Sequence, residues 1–339
     1  MKLLEMWTRY AGLGASSRLR FMQFIPAFET AGYQVKCDHF FDDEYLQKLY
    51  LTGSKSIPAL FRAWSRRRQA MRGSAPETPA LIEYELLPYL PYRMEKKFLS
   101  RRKYVLNFDD DVTVRYRKFP HLRDKYFRLA AGAAGVIVAN AALQELFAPY
   151  NRNIIYLPTV PPPLPETTVA KAEKLTLIWT GTPVTLPFLQ ERSRALQLAA
   201  AQVDLKLLIV GGNAAVPGVD CEVIPWSNDA EAAALARAHA GIMPLPDTPF
   251  ARGKSAYKLL RYMQAGLPAI ASPVGENCRV LTPQWGILAQ SDAEWVAAIT
   301  TLADREKCQQ LAAGAVAERE KYSFAGVADK LVGFVAQSC

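Results

Sequence analysis

The sequence predicts an α/β protein of two doubly wound domains, each with a parallel sheet between layers of helices. Short apolar segments alternate with segments of helical periodicity through both halves of the 339-residue chain, which is typical of a parallel α/β sheet. A chain of this length can form two domains that each bury a core. The segment 158–165 holds five prolines in eight residues. Because it can form neither a helix nor a central strand, it predicts the linker between the domains.

The first half begins with a strand, a glycine loop, a helix and a second strand. The predicted bounds are 2–7 for the strand, 10–17 for the loop, 18–32 for the helix and 33–37 for the second strand. The helix is predicted from the spacing of its apolar residues and from Gly32 at its end. Further strands are predicted at 81–87, 104–108 and 136–139.

The second half repeats this alternation after the linker. Strands are predicted at 175–179, 205–210, 241–245 and 269–272, and helices at about 187–201, 229–239 and 255–265. Gly266 and Pro268 end the last of these helices. The expected domains are therefore 1–160 and 166–320. Ligands of open α/β sheets bind at the carboxyl ends of the strands, so we expect a ligand in a cleft that the two domains face.

The positive charge of the chain lies entirely in its first half. Residues 1–160 hold 25 basic and 15 acidic residues, whereas 161–339 hold 16 and 17. Two basic clusters stand out: Arg62, Arg66, Arg67, Arg68 and Arg72, and then Arg93, Lys96, Lys97, Arg101, Arg102 and Lys103. Solvated helix faces or an anionic lipid surface would explain them equally well. Nucleic acid is disfavoured, because no helix-turn-helix, RNP or zinc-finger pattern accompanies the charge.

Several functional classes are excluded by composition. The five cysteines are scattered and the three histidines form no metal-binding motif, which disfavours a disulfide framework and a zinc hydrolase. The first residues do not resemble a signal peptide, and no apolar stretch reaches the ~20 residues of a membrane span. We therefore expect a cytoplasmic protein, with attachment to the inner face of the membrane as an option.

The segment 244–277 contains the clearest candidate site. Its helix is predicted to begin at Ser255 as N-cap, after Gly253. The basic residues Lys254, Lys258 and Arg261 would share one face of this helix. The free N–H groups and the dipole of a helix N-terminus attract anions. A solvated basic face is the plainer explanation, but the position after a strand favours a site for a diphosphate.

Three further glycine loops follow predicted strands. They are Gly12-Leu13-Gly14, Gly181-Thr182 after Thr180, and Gly211-Gly212. None has the spacing of a dinucleotide fingerprint or a P-loop. A tight turn explains each of them singly, but their recurrence at strand ends in both halves indicates a ligand there.

Acidic residues follow two strands of the first half. Asp109, Asp110 and Asp111 are consecutive, and such carboxylates repel one another. They could hold a divalent metal or sugar hydroxyls, and at least one, Asp111, could instead cap a helix. Glu83 and Glu85 alternate in a strand, where a solvated edge is favoured over acid–base chemistry.

Taken together, these motifs resemble those of family 4-like glycosyltransferases of the GT-B fold over nearly the whole chain. The shared segments are Ala15 to Arg20, Glu83 to Pro88, Asp109 to Asp111, and Gly253 to Asn277. The resemblance implies two Rossmann-like domains. It also implies a C-terminal helix, within 321–339, that follows an aromatic signature at 322–324 and returns to the N-terminal domain.

The resemblance further implies retaining transfer of a sugar, of hexosyltransferase type, from a UDP- or GDP-linked donor to a glycan or lipid-linked acceptor, without metal or cofactor. By position, Asp109 and Asp110 would lie at the catalytic site. The residues that would bind the nucleotide-sugar are Gly12, Gly14, Gly181, Thr182, Trp226, Lys254, Lys258, Glu276 and Asn277.

One departure concerns the paired glutamates of the wider family. Their positions hold Gly253 and Arg261 here. An arginine cannot accept the ribose hydroxyls that the second glutamate would hold, so Arg261 is expected to contact phosphate or the donor to differ. The alternatives are therefore a GT-B-like enzyme of another reaction, such as a sugar-nucleotide epimerase, or an inactive homologue. A basic protein that binds membrane or nucleic acid is the alternative outside enzymes.

Overall fold

The structure, a computed structural model, describes residues 2–164 and 171–339. Contacts divide the chain into two compact units. The first unit comprises Met1–Thr159, Gly253–Ser255 and Ala325–Cys339, and the second unit comprises Val160–Arg252 and Ala256–Phe324. The predicted linker residue Pro165 and the predicted domain start at 166 lie outside the described residues.

The first unit contains a six-stranded parallel sheet. Its strands are β1 (Lys2–Tyr10), β2 (Tyr33–Phe41), β3 (Ala80–Glu83), β4 (Tyr104–Phe108), β5 (Gly135–Val138) and β6 (Ile154–Tyr156). Its helices in this part of the chain are α1 (Ala15–Arg20), α2 (Ile25–Thr30), α3 (Asp43–Thr52), α4 (Ile57–Arg72), α5 (Arg93–Leu99), α6 (Lys125–Gly132) and α7 (Ala141–Phe147). The strand order β2-β1-β3-β4-β5-β6 reverses direction between β1 and β3.

The second unit contains a second sheet of six parallel strands. Its strands are β7 (Leu175–Thr180), β8 (Leu205–Val210), β9 (Asp220–Ile224), β10 (Ala240–Met243), β11 (Ala269–Ala271) and β12 (Gly286–Leu288). Its helices are α8 (Leu186–Gln190), α9 (Ser193–Ala200), α10 (Asn228–Arg237), α11 (Pro249–Arg252), α12 (Tyr257–Gln264), α13 (Asn277–Val280), α14 (Asp292–Ala303) and α15 (Arg305–Glu318). The order β12-β11-β10-β7-β8-β9 reverses between β7 and β10.

The last helix, α16 (Phe324–Ser338), completes the first unit. The ring of Phe334 lies so close to Gly135 that a Cβ there would be 2.6 Å from it. The amide nitrogen of Asn153 donates to the hydroxyl of Ser338 across 185 residues of chain.

Both sheets bury apolar side chains on their two faces, as a doubly wound sheet requires. Along β7, Ile178 packs on one face with Leu208 and Val210. Its neighbours Leu177 and Trp179 pack on the other. This alternation confirms the predicted α/β class with two parallel sheets.

Several predicted bounds were wrong, each for a local reason. The helix predicted over 18–32 is divided into α1, a 3₁₀ turn at Met22–Phe24, and α2, whose first turn contains Pro26. The strand predicted over 81–87 ends at Glu83, because Tyr84 adopts a φ of 61° that no strand continues. The helix predicted over 187–201 is divided into α8 and α9.

Two residues of the basic clusters do not belong to a solvated face. Arg67 is buried, with Nε 2.6 Å from Oδ1 of Asp38. Arg102 is also buried, and its Nη1 lies 2.9 Å from Oε2 of Glu5. These guanidinium groups stabilise the first unit from inside, so they are not available to an external partner.

Candidate functional site

In the second unit, the candidate residues gather where parallel strands end at one edge of the sheet. Open α/β sheets bind ligands at this edge, where the strand order reverses. Here the reversal lies between β7, which ends at Thr180, and β10, which ends at Met243. The loops that follow these and the neighbouring strands hold Gly181, Thr182, Gly211, Trp226, Glu276 and Asn277.

Two of these glycines are required by the close approach of neighbouring loops. Gly211 has a φ of +79°, and a Cβ there would lie 2.3 Å from the carbonyl oxygen of Gly181. A Cβ on Gly181 would lie 2.5 Å from the ring of Trp179. The two loops therefore pack closely on each other and on the Trp179 ring, and this packing requires glycine at both positions. The amide of Thr182 is engaged in its own loop and donates to the hydroxyl of Thr185.

The predicted N-cap at Ser255 was wrong. Helix α12 begins at Tyr257, and its N-cap position is Ala256, which has a left-handed φ of 51° and offers no side-chain cap. Lys258 therefore stands in the first turn, with Nζ 4.9 Å from the centre of the Trp179 ring. Lys254 lies outside the helix and belongs to the first unit, where Nζ is 3.8 Å from Oδ2 of Asp110.

Arg261 does not share an open basic face with Lys258. It is buried, and its Nη2 lies 3.1 Å from Oε2 of Glu231. Its Nη1 donates to the carbonyl of Pro162 and to the side-chain oxygen of Gln264. Glu231 also accepts from the hydroxyl of Thr180. Because these partners engage the guanidinium, the expected phosphate contact of Arg261 has no support in the structure.

Glu276, in the loop after β11, and Asn277, the first residue of α13, are both buried. The amide nitrogen of Asn277 donates to the carbonyl of Ser272, whereas its Oδ1 has no hydrogen-bond partner in the part of the chain that the structure describes. Gly275 makes this loop possible, because it has a φ of +56° and a Cβ would lie 2.5 Å from the carbonyl oxygen of Arg252. Trp226, after β9, is exposed.

In the first unit, the three consecutive aspartates after β4 have three different surroundings. Asp111 is the N-cap of the 3₁₀ turn at Val112–Arg115 and accepts from the amide of Thr113. Asp110 faces Lys254. Asp109 accepts a hydrogen bond from the hydroxyl of Tyr84. Burial, together with the charge of Asp110, raises the pKa of Asp109 to about 7.

Glu83 and Glu85 are buried, so the predicted solvated edge was wrong. Glu83 accepts from the backbone N–H of Arg9 and from the hydroxyls of Ser16 and Ser17. Burial raises its pKa. Two motifs distant in sequence, the serine pair and the glutamate strand, thus form one hydrogen-bonded cluster.

Glu85, which follows Tyr84 in the chain as Glu83 precedes it, is surrounded by cationic and phenolic side chains. It lies 2.6 Å from Nζ of Lys125 and 3.1 Å from Nη1 of Arg9. The hydroxyls of Tyr116 and Tyr126 donate to it. Burial alone would raise the pKa of Glu85, but Lys125 and Arg9 hold it below the usual value.

The glycine loop after β1 is held by an acidic side chain. The amide of Leu13 donates to Oδ1 of Asp43 at 2.8 Å, and Gly12 lies beside the same carboxylate. Gly14 is required because a Cβ would lie 2.3 Å from Cβ of Tyr10. The carboxylate of Asp43 is therefore placed where an approaching phosphate would meet a like charge.

No group of three or more His, Cys, Asp or Glu side chains in residues 2–164 and 171–339 is arranged to hold a metal ion. The three aspartates do not converge, because Asp111 is turned to its own 3₁₀ turn. Within the same residues, no helix is long and apolar enough to cross a membrane.

Sequence reasoning missed three residues of these clusters. Tyr84 stands between two glutamates, and its left-handed backbone has no signature in sequence. Glu231 lies in an alanine-rich helix that suggested no chemistry. Arg20 was quoted only as part of a motif, although it is buried and its Nε donates to Asn107.

Two doubly wound units of this kind define the GT-B class of proteins, and the chain has this fold. Residues 176–305, in the second unit, match the model of a family described as "Glycosyl transferases group 1". This match lies within the second unit and covers less than half of the chain.

Solved structures share this fold at low sequence identity. HepE of Anabaena in complex with UDP is 14% identical with a TM-score of 0.68, and the match covers 99% of this chain and 100% of that one. A putative UDP-N-acetylglucosamine 2-epimerase from Listeria monocytogenes is 12% identical with a TM-score of 0.63, over 98% and 95% of the two chains. No curated protein sequence matches the chain.

TarM of S. aureus is a longer relative in structure. It is 10% identical with a TM-score of 0.60, and the match covers 79% of this chain but only 57% of TarM. This chain thus spans little more than half of that protein.

Proposed function

We propose that the protein transfers a sugar from a nucleotide diphosphate donor, UDP- or GDP-linked, to a glycan or lipid-linked acceptor. The observation that carries this proposal is the edge of the second sheet. Lys258 in the first turn of α12 lies there together with the glycine backbone of Gly181 and Gly211. The family match over 176–305 covers these same elements.

The chemistry needs a stabilised leaving group. The bond from the anomeric carbon to the diphosphate breaks, the acceptor oxygen bonds to that carbon, and the hydroxyl proton leaves with the diphosphate. The ammonium of Lys258 and the helix dipole at the start of α12 would stabilise the developing charge. Fixed groups of this kind can do the work of a metal ion. We further propose retention of configuration and a role in surface polysaccharide synthesis, as the family resemblance implies.

Asp109 and Asp110 are the proposed catalytic carboxylates. Their support is their position at the carboxyl end of β4, with Asp109 half-buried against Tyr84 and Asp110 facing Lys254. If they hold sugar hydroxyls, Asp109→Asn and Asp110→Asn should each lower turnover far more than nucleotide affinity. Asp124→Asn is the matched control, because Asp124 is exposed on the same unit. Equal losses of turnover and affinity would assign the aspartates to the nucleotide instead.

The first experiment is a thermal-shift titration with UDP and GDP, followed by turnover with a panel of UDP- and GDP-sugars. A ligand that binds only the folded protein raises its melting temperature. We expect one of the two nucleotides to do so and ATP not to. If no nucleotide diphosphate raises the melting temperature and no donor is consumed, the proposal is wrong.

A second candidate is a sugar-nucleotide epimerase, which the fold of the Listeria structure supports. The two reactions differ in their need for an acceptor. An epimerase interconverts the sugar of the donor with no acceptor present, whereas a transferase releases nucleotide diphosphate as acceptor is consumed. Product analysis of the donor sugar in the absence of acceptor therefore separates them.

We also propose a cytoplasmic protein that contacts the inner membrane face through the tip formed by α3 and α4. Three of the most exposed apolar side chains of the described residues lie there: Leu51 at 86%, Ile57 at 67% and Phe61 at 63%. The surrounding stretch 45–72 holds no acidic residue and seven basic ones, of which all but the buried Arg67 are open to a partner surface. An apolar tip within such charge fits an anionic lipid surface.

Vesicle sedimentation tests the tip. The protein should bind phosphatidylglycerol vesicles and not phosphatidylcholine vesicles, and Leu51→Ser with Phe61→Ser should weaken that binding. Leu198→Ser is the matched control, because Leu198 is exposed in the second unit. Binding that the tip variants leave unchanged, or a preference for nucleic acid over vesicles, would contradict this assignment.

A further inference from the structure

Tyr84 adopts a backbone conformation that a tyrosine seldom takes. Its φ is 61°, in the left-handed region, where a bulky side chain costs free energy. Residues held in this way persist only where the surrounding structure fixes them. Both chain neighbours are fixed here: Glu83 is bound by Ser16 and Ser17, and Glu85 by Lys125.

The conformation has a visible result. The phenol of Tyr84 is buried, its ring packs against Phe108 with centroids 5.8 Å apart, and its hydroxyl donates to Oδ1 of Asp109. Strand β3 ends immediately before Tyr84, and strand β4 ends immediately before Asp109. The left-handed backbone of Tyr84 thus places its hydroxyl, at the end of β3, against the carboxylate of Asp109, at the end of β4.

The charged and titratable groups that face Asp109 come from three elements. Tyr84 and Glu83 come from the end of β3, Asp110 follows β4, and Arg20 comes from α1. Tyr84 and Arg20 favour the ionised carboxylate, while Asp110 and Glu83 oppose it. Lys254, beside Asp110, reduces the repulsion from that neighbour.

Arg20 is itself fixed in place. Its Nε donates to Oδ1 of Asn107 at 2.9 Å, and its Nη1 donates to the carbonyl of Leu157 at 2.6 Å. Its Nη2 is buried and has no hydrogen-bond partner among the described residues. A held cation and a held phenol therefore flank a single carboxylate.

We propose that Tyr84 is a positioning residue for Asp109, which holds this carboxylate in one orientation at the acceptor end of the reaction. Because one oxygen of Asp109 is occupied by the phenol, the other is left for a substrate hydroxyl. This inference rests on the proposed glycosyl transfer, but the orientation and ionisation of Asp109 can be measured without turnover.

The test is Tyr84→Phe, which removes the hydroxyl and retains the ring. Its control is Tyr89→Phe. Tyr89 is the other tyrosine with a left-handed φ, 67°, but its hydroxyl accepts from Arg9 and does not contact Asp109. Because Tyr84→Phe removes the hydrogen-bond donor of Asp109, the acid limb of its turnover–pH profile should move upward by about one pH unit. In Tyr84→Phe, kcat should fall while KM for the nucleotide-sugar stays unchanged. In Tyr89→Phe, the turnover–pH profile should stay unchanged.

The second measurement is the titration of the Asp109 carboxyl carbon by ¹³C NMR, assigned by its loss in Asp109→Asn. The Asp109 titration should move to higher pH in Tyr84→Phe alone. An unmoved titration, or an equal shift in Tyr89→Phe, overturns the positioning role. If the titration shifts and the wild-type protein transfers no sugar, the proposed function fails and the positioning of Asp109 stands.

Discussion

The guanidinium of Arg261 and the carboxylate of Glu231 form a buried ion pair, with Nη2 3.1 Å from Oε2. The pair ties the end of α12 to α10 in the second unit. The wider family resemblance predicts a side chain at position 261 that accepts the ribose hydroxyls. This chain has an arginine there, and its charge is paired with the carboxylate of Glu231. In the proposed site the cation assigned to the diphosphate is therefore Lys258.

Removing one partner of this pair should destabilise the protein strongly. Arg261→Met leaves the carboxylate of Glu231 buried without its cation, which typically costs about 3–5 kcal/mol. The double variant Arg261→Met with Glu231→Leu should recover most of the loss, since no buried charge remains. Urea unfolding of the variants measures this. A single variant within about 1 kcal/mol of wild type would show a pair open to water.

Lys258→Ala should weaken nucleotide diphosphate binding by about tenfold to a hundredfold at constant salt, as expected for one charge-assisted hydrogen bond. The fold should lose little, because Ala is a good helix former and the cation–π interaction with Trp179 contributes about 0.5–1 kcal/mol at an exposed site. Calorimetric titration and the melting temperature measure the two effects.

The matched control is Lys307→Ala, which removes an exposed lysine from α15 in the same unit. It should leave affinity unchanged. If Lys258→Ala binds nucleotide as wild type does while the fold holds, the proposed diphosphate site is wrong.

Asp109→Asn should stabilise the protein at neutral pH and not in acid. Burial raises the pKa of Asp109 to about 7. The folded state therefore keeps this proton when the unfolded state has lost it, and stability falls as the pH rises from ~4, the usual pKa of an aspartate, toward 7. Asparagine does not titrate, so the melting temperatures of variant and wild type should separate across that range. Parallel curves of melting temperature against pH would show that Asp109 titrates normally.

Sugar transfer should survive chelation. The fixed cation and helix N–H groups that face the leaving diphosphate stand in for a metal ion in the proposed mechanism. Turnover in EDTA should match turnover in untreated buffer. A loss in EDTA that Mn²⁺ or Mg²⁺ restores would instead assign Asp109–Asp111 to metal binding.

The sheets were predictable from the sequence because buried strands are short apolar runs, and β1, β4 and β8 lie where such runs occur. Strands such as β6 and β12, of three residues each, are too short to give that signal. The start of α12 was mistaken because Ser255 has the chemistry of an N-cap, whereas Ala256 takes that position with a left-handed backbone.

The candidate site was predictable where it depends on local chemistry, and not where charges are buried. The glycines at 181 and 211 follow β7 and β8, as the sequence predicts. The state of Glu83 depends on Ser16, 67 residues away, and that of Glu85 on Arg9, 76 residues away. The local sequence around such a glutamate is the same whether or not distant residues pack against it. Only the fold therefore distinguishes a solvated edge from a buried cluster.

The first unit is assembled from segments that lie far apart in the sequence, and this affects when it can be completed during synthesis. Its sheet leaves the ribosome before the second unit, whereas α16, whose Phe334 packs on Gly135, follows the second unit. At roughly 5–20 residues per second, the ~170 residues between β6 and α16 take about 10–30 s to synthesise. During that interval Gly135 lacks its contact with Phe334, so the first unit can complete its packing only after the second unit has been synthesised.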